Sequence, residues 1–128
     1  IYNASIPKAD KILCDVPCSG LGVIRKKPEI RYKKSDEVDK LGDLQYAILC
    51  VSSNYLKIGG ELVYSTCSLN PDENEKIIEK FLSEHNDFES VKVLPELKRY
   101  NGETDYITLM PHIHGCDGFF ISKIKRIR

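Results

Sequence analysis

Apolar residues recur along the chain in two alternating patterns. Short runs at residues 11–15 and 61–66 have the length and the β-favouring composition of buried strands. Residues 35–57 and 71–84 instead repeat their apolar positions at helical spacing. Because strands alternate with helices, the pattern predicts a parallel sheet with helical crossovers.

Local signals predict where the helices begin. Ser35 suits the N-cap of the first helix. Gly59-Gly60 is expected to end the segment before the second strand, which is predicted at residues 61–66. Asn70 is expected to cap the second helix, with Pro71 at the first helical position and Glu73 completing a capping box.

The last third of the chain predicts further strands. Alternation at residues 88–94 indicates one strand, and residues 106–110 and 119–124 indicate two more. Residues 95–104 are polar and predicted to be irregular. The predicted order is therefore β-α-β-α-β-β-β, and the trailing strands suggest an antiparallel edge.

Two cysteines follow the predicted carboxyl ends of the first two strands. Cys18 follows an acid and a proline after the first strand, and Cys67 lies between the second strand and its helix. Ligands of open α/β sheets bind at these ends, and a nearby helix N-terminus favours a thiolate. A lone cysteine there would more often be structural, as we expect for Cys14 and Cys50, but the repeated arrangement favours a functional site.

These two stretches resemble motifs of a known family. Asp15-Val16-Pro17-Cys18-Ser19-Gly20 and Ser65-Thr66-Cys67-Ser68 resemble motifs IV and VI of the RNA cytosine-5 methyltransferases, with a closer match to the bacterial ribosomal RNA enzymes of the Sun or Fmu (RsmB-type) group. Residues 22–29 and 110–120 resemble the basic segment after motif IV and the C-terminal motif VIII. The resemblance covers nearly the whole chain.

The resemblance implies an α/β fold, the C-terminal half of a Rossmann-like S-adenosylmethionine-dependent methyltransferase with an antiparallel last strand. Residues 1–128 would form the C-terminal portion of one catalytic domain, and the glycine-rich loop and acid that carry the cofactor would lie outside them. Position 1 is Ile and the only methionine is Met110, which indicates a piece of a longer polypeptide. We therefore expect the chain alone to be inactive, and to self-associate through the unpaired edge of its first strand.

The resemblance also implies residue roles. Cys67 would attack carbon 6 of cytosine so that carbon 5 accepts the methyl group, and Cys18 would help to release the product. The two cysteines would exchange roles if the chain followed the DNA enzymes. Asp15 resembles the motif IV acid beside both base and cofactor. The expected partner is RNA, ribosomal RNA in the Sun-type enzymes, contacted by Arg25, Lys26 and Lys27.

Charge and cysteine usage restrict the function less than these motifs do. The 19 basic and 19 acidic residues cancel, but basic residues cluster at 25–34 and at the C-terminus. Such clusters either meet a phosphate backbone or face solvent. The five cysteines contain no CxxC pair and no disulfide framework, and no apolar run is long enough to cross a bilayer. We therefore expect no membrane partner and a reducing, cytoplasmic location.

Two other interpretations stay open. A non-catalytic RNA-binding module would use the basic clusters but would leave the paired cysteines as coincidence. A zinc-binding domain would draw on zinc-compatible but scattered residues: His112, His114, Cys116, Cys18 and Cys67. Trapping by a mechanism-based base analogue separates enzyme from binder, and metal analysis tests the zinc hypothesis.

Overall fold

A computed structural model describes residues 3–32, 35–93 and 105–128 of the chain. The strands are β1 (Ala9–Asp15), β2 (Leu56–Thr66), β3 (Phe88–Val91), β4 (Tyr106–Leu109) and β5 (Phe119–Arg126). The helices are α1 (Ser35–Ser53), α2 (Glu75–Glu84) and the short α3 (Pro111–His114), with 3-10 turns at Pro28–Tyr32 and Pro71–Glu73. The predicted order of strands and long helices is confirmed, whereas α3 occupies a predicted loop.

Three sequence predictions fall on residues outside the described ranges. They are the irregular segment at 95–104, the end of the predicted strand at residue 94, and the basic positions 33 and 34. Helix α1 begins at Ser35, but the capping role predicted for the Ser35 side chain also lies outside what the structure describes.

The strands form one sheet in the order β1-β2-β5-β3, with β4 also paired to β5. Strands β1 and β2 are parallel, and β5 runs antiparallel to β2, β3 and β4. The antiparallel last strand is therefore confirmed. The trailing strands form the antiparallel side of the sheet, as predicted, and within it β5 lies between β2 on one side and β3 and β4 on the other.

Strand β2 begins at Leu56, five residues before its predicted start, and helix α1 ends at Ser53 rather than at residue 57. Gly59-Gly60 lies inside the strand instead of ending the preceding element. Gly59 has a φ of +82°, and a Cβ on Gly60 would lie 2.8 Å from the Asp10 carbonyl oxygen. The two glycines thus form an irregularity where the register with β1 shifts, which a strand can absorb without ending.

The start of α2 also differs from its prediction. Asn70 caps the 3-10 turn by accepting the Asp72 N–H at 3.1 Å, and Pro71 takes the first position as expected. The capping box is wrong, because the Asn70 N–H donates to Ser68 Oγ at 3.1 Å and Glu73 is buried elsewhere. Helix α2 then begins at Glu75.

The core lies between one face of the sheet and the two long helices. It contains Cys14, Val16, Leu49, Leu56, Leu62, Tyr64, Ile77, Ile78, Phe81, Phe88, Phe120 and Ile124. Cys14 is confirmed as a core residue, and Cys50 packs against the core from a partly exposed position. The opposite face is more open, since Leu13 on β1 is 72% exposed. Within the described ranges, no helix combines the length and the apolar character needed to span a membrane.

Candidate active site

The site is built at the carboxyl ends of β1 and β2. These parallel strands pair in register up to Asp15 opposite Ser65. The Ser65 hydroxyl donates to the Asp15 carboxylate at 2.9 Å, and the Val16 N–H donates to the Ser65 carbonyl at 3.2 Å. Since Cys18 and Cys67 follow these positions by only a few residues, the three predicted catalytic residues lie at the same end of the sheet.

The two predicted catalytic cysteines are in direct contact. Their Cα atoms are 6.3 Å apart, and the structure joins their sulfur atoms as a disulfide. The Cys67 N–H also donates to Cys18 Sγ at 3.2 Å. The two sulfur atoms meet because the paired parallel strands deliver both loops to one place. A cysteine nucleophile acts as a thiolate, so catalysis requires the reduced pair.

The loop that carries Cys18 passes through a close crossing of three segments. The Gly22 N–H donates to the Cys67 carbonyl at 2.9 Å, and the Gly118 N–H donates to the Gly22 carbonyl at 2.7 Å. A Cβ on Gly22 would lie 2.1 Å from the Gly118 carbonyl oxygen. Glycine is therefore required at position 22 for the segments that contain Gly22, Cys67 and Gly118 to meet.

Both cysteines line a single cavity of about 290 Å³. This volume lies close to the lower end of the range for small-molecule sites, about 300–1,000 Å³. Val23 and Ile30 contribute apolar surface to the cavity, and Lys27 and Glu29 contribute charged groups. The cavity can therefore receive a small, partly apolar ligand with polar groups next to the two sulfur atoms.

The three predicted RNA-binding residues lie on the exposed loop beside this cavity. Arg25 and Lys27 are exposed. Lys26 makes an ion pair with Asp117 at 2.6 Å, and its side chain remains 67% exposed. Exposed pairs of this kind contribute little stability, so the bridge does not prevent Lys26 from turning to a phosphate.

The proposed zinc ligands are not assembled. His112 and His114 lie in α3, where His114 Nδ1 accepts the Met110 N–H at 2.9 Å, and Cys116 is exposed. In the parts of the chain that the structure describes, no group of three or more His, Cys, Asp or Glu side chains is placed to hold a metal ion.

Cys14 and Cys50 belong to the core rather than to the cavity, with Cys14 inside the core and Cys50 packed against it. Burial raises the pKa of Cys14, an effect partly opposed by its contact with the Ser52 hydroxyl. Burial also raises the pKa of Cys50, partly opposed by Tyr46. These thiols are less reactive than an exposed one, which agrees with their structural placement.

Sequence reasoning missed a buried polar cluster behind the two cysteines. Glu73 is 1% exposed and Gln45 is fully buried, together with Ser19 and Ser68. A glutamate just after Asn-Pro-Asp has the spacing of an ordinary helix cap, so no local signal distinguished the buried Glu73. Only the folded chain brings it beside residues far away in sequence.

Comparison with solved structures defines the class to which this fold and site belong. A crystal structure of NSun6 from Pyrococcus horikoshii with SFG matches 95% of this chain and 31% of its own, with a TM-score of 0.78 and 30% sequence identity. Together with a sheet of this topology, that match confirms the predicted Rossmann-like α/β fold of the methyltransferases.

The family follows from the sequence comparisons. The model of the family 16S rRNA methyltransferase RsmB/F matches residues 2–125, and the chain belongs to this family. A probable ribosomal RNA small subunit methyltransferase B of Bacillus subtilis is 43% identical over 122 residues, 91% of this chain. A tRNA (cytosine(34)-C(5))-methyltransferase of Drosophila melanogaster is 42% identical over 109 residues, 81% of this chain. The chain spans 27% and 15% of the length of these two relatives.

Proposed function

We propose that the protein carrying this chain methylates carbon 5 of cytosine in RNA, with Cys67 as the nucleophile and Cys18 as the group that assists product release. One observation carries the proposal: two cysteines separated by 49 residues line one cavity at the carboxyl ends of adjacent parallel strands. The names of the family and of its relatives support RNA as the substrate.

The chemistry explains why two cysteines are useful. The Cys67 thiolate adds to carbon 6 of cytosine, which makes carbon 5 electron-rich enough to take the methyl group. A base then removes the carbon-5 proton, and the thiolate leaves. Attack and release need different groups, and Cys18 lies in contact with Cys67, where it can assist the second step.

S-adenosylmethionine is the proposed cofactor and supplies the methyl group. The match to a structure with SFG, an analogue of that cofactor, supports this choice. Asp15 is exposed at the end of β1, which leaves its carboxylate accessible to both base and cofactor. We further propose that residues 1–128 form the C-terminal portion of the catalytic domain and do not bind S-adenosylmethionine tightly alone. Tight binding to this chain in a calorimeter would contradict that proposal.

RNA is the proposed macromolecular partner, with ribosomal RNA favoured by the names of the family and of the B. subtilis relative. Arg25, Lys26 and Lys27 are the proposed phosphate contacts; all three are exposed, and Lys27 also lines the cavity. Each lost phosphate contact should reduce the salt dependence of binding by about one unit of slope. Because the mechanism needs free thiols, a cytoplasmic location suits the proposal.

Methyl transfer by the full-length reduced protein tests this function. Ribosomal RNA without native methylation is incubated with labelled S-adenosylmethionine, and digested nucleosides are separated by chromatography. We expect the label in 5-methylcytidine, its loss in Cys67→Ala, and its retention in Cys116→Ala, which changes an exposed cysteine outside the cavity. RNA binding without methyl transfer would instead favour the non-catalytic binding module.

The 128-residue chain by itself is also expected to self-associate. Among the described residues β1 pairs only with β2, and Leu13 on β1 is 72% exposed. An apolar strand edge of this kind can pair with a second chain. Light scattering should show oligomers that Leu13→Lys reduces and Ile113→Lys, at an exposed position of α3, does not. A clean monomer at high concentration would contradict the proposal.

A further inference from the structure

We infer that Glu73 is a positioning residue whose carboxylate holds the loops of Cys18 and Cys67 together. The inference deepens the proposed function and rests on it for the roles of the two cysteines. The observation behind it is a set of four hydrogen bonds to one buried side chain, which links both loops to helix α1.

Both oxygens of the carboxylate are used. Oε1 accepts the Ser19 N–H at 2.7 Å and the Gln45 Nε2–H at 3.0 Å. Oε2 accepts the hydroxyls of Ser19 at 2.6 Å and Ser68 at 2.5 Å. Burying a carboxylate is costly unless donors surround it, and this one is only 1% exposed. The fold therefore surrounds the Glu73 carboxylate with hydrogen-bond donors that satisfy both of its oxygens.

The donors flank the two cysteines in sequence. Ser19 comes directly after Cys18, and Ser68 comes directly after Cys67. Gln45 extends the link to the other side of Cys18, because its Nε2 also donates to the Pro17 carbonyl at 2.9 Å. Loss of the Glu73 carboxylate would therefore change the positions of Ser19 and Ser68, and with them the positions of the adjacent cysteines and their sulfur atoms.

The neighbouring residue shows that this link is specific to Glu73. Asn74 is equally buried, but its side chain accepts the Thr66 hydroxyl at 2.6 Å and donates to the Ser68 carbonyl at 2.9 Å. Both contacts belong to the loop of Cys67. Asn74 therefore shapes one loop, whereas Glu73 fixes the distance between two.

Positioning of this kind matters because catalysis is sensitive to small displacements. A shift of about 1 Å at a reacting group can cost about 100-fold in rate. The substitution Glu73→Gln keeps the volume and the backbone contact in which the Tyr64 hydroxyl donates to the Glu73 carbonyl at 2.7 Å. It replaces one acceptor oxygen by a donor, so it changes the link between the loops with little effect on packing.

The first test measures how closely the two thiols are held, without RNA or cofactor. The full-length protein is equilibrated with reduced and oxidised glutathione, quenched in acid, and the Cys18–Cys67 disulfide is quantified by mass spectrometry. This gives the effective concentration of one thiol at the other. We expect about a tenfold decrease for Glu73→Gln and no change for Glu79→Gln, the same change at an exposed position of α2.

Ser68→Ala keeps the test decisive if Glu73→Gln does not fold. It removes the hydrogen bond from the loop of Cys67 to Glu73, together with the contacts of Ser68 Oγ with the Asn70 N–H and with Ser19 Oγ, both at 3.1 Å. The contacts of Glu73 with Ser19 and Gln45 remain, so we expect a smaller, about threefold decrease in effective concentration. Unchanged values in folded Glu73→Gln, or in Ser68→Ala if the first variant is unfolded, would overturn the inference.

Steady-state kinetics then separate positioning from the proposed function itself. Positioning predicts a kcat lower by about 10- to 100-fold in Glu73→Gln, with KM values for RNA and S-adenosylmethionine unchanged. A lower effective concentration with normal kcat would overturn the catalytic part of the inference. Absence of methyl transfer in the wild-type protein would instead contradict the proposed function, while the glutathione result would still decide whether Glu73 holds the loops.

Discussion

Most side-chain contacts to the loop that carries Cys67 come from residues near it in sequence, whereas most of those to the loop that carries Cys18 come from residues far from it. Around Cys67, the Ser68 N–H donates to Thr66 Oγ1 at 3.2 Å, and Asn74 binds both residues. Around Cys18, the contacts come from Glu73 and Gln45, 54 and 28 residues from the positions that they bind. The first loop can form with its own helix, but the second needs the assembled sheet.

The two halves of the site therefore depend on different interactions. Local hydrogen bonds form part of the Cys67 loop whenever β2 and α2 are in place. The Cys18 loop depends on long-range contacts, including the crossing of Gly22 and Gly118. Substitutions chosen in each loop should therefore separate an effect on global stability from an effect on local order.

The largest effect is expected from Gly22→Ala, which places a Cβ 2.1 Å from the Gly118 carbonyl oxygen. Backbone atoms cannot yield as a flexible side chain can, so we expect a loss of about 3 kcal/mol in the free energy of unfolding. Chemical denaturation of the full-length protein measures it. Gly42→Ala is the control, because among the described residues the nearest atom to its Cβ is the Asp72 carbonyl oxygen, at 3.7 Å, and a helix gains about 0.5–1 kcal/mol from this change. Wild-type stability in Gly22→Ala would contradict the tight crossing.

A smaller and more local effect is expected from Asn74→Ala. It leaves the buried Thr66 hydroxyl and the Ser68 carbonyl without the partner that Asn74 provides, at a cost of about 2 kcal/mol. Hydrogen exchange should show faster exchange at the Ser68 and Asn70 amides and little change at Gly22. The exposed Asn54→Ala should change stability by less than about 0.5 kcal/mol. Equal loss of protection in both loops would mean that they are not held independently.

The smallest effect concerns Cys14, on the strand that leads into the Cys18 loop. Burial raises its pKa above the ordinary value of 9.0. The stability from keeping this thiol neutral is complete below pH 9 and is lost as the pH rises through its higher folded pKa. Denaturation between pH 7 and 10.5 should show this decline, and Cys14→Ala should reduce it while Cys116→Ala does not. Identical pH profiles for wild type and Cys14→Ala would contradict the buried thiol.

Much of the fold follows from local patterns. The apolar runs predicted β1 and the main part of β2, and helical spacing predicted α1 and α2. Family motifs predicted that Cys18 and Cys67 act together, and the structure does bring them into contact. Their individual roles stay a prediction.

The features that sequence did not reveal depend on tertiary contacts. The early start of β2 relies on pairing with β1 across a glycine irregularity, and the central position of β5 depends on which strands it meets. Glu73 has the spacing of a helix cap, and only its burial beside Ser19 gives it another role. Local propensity carries no information on such partners.

The assignment of Cys67 to attack and Cys18 to release is tested most directly by a covalent adduct with RNA. Full-length Cys18→Ala and Cys67→Ala variants are incubated with substrate RNA and S-adenosylmethionine and run on a denaturing gel. Without Cys18, attack and methyl transfer proceed but release slows, so a slowly migrating protein–RNA adduct should accumulate. Without Cys67, no bond to carbon 6 forms and no adduct should appear. An adduct in Cys67→Ala but not in Cys18→Ala would reverse the two roles. Normal activity in both variants, without any adduct, would contradict the assignment of these cysteines to catalysis.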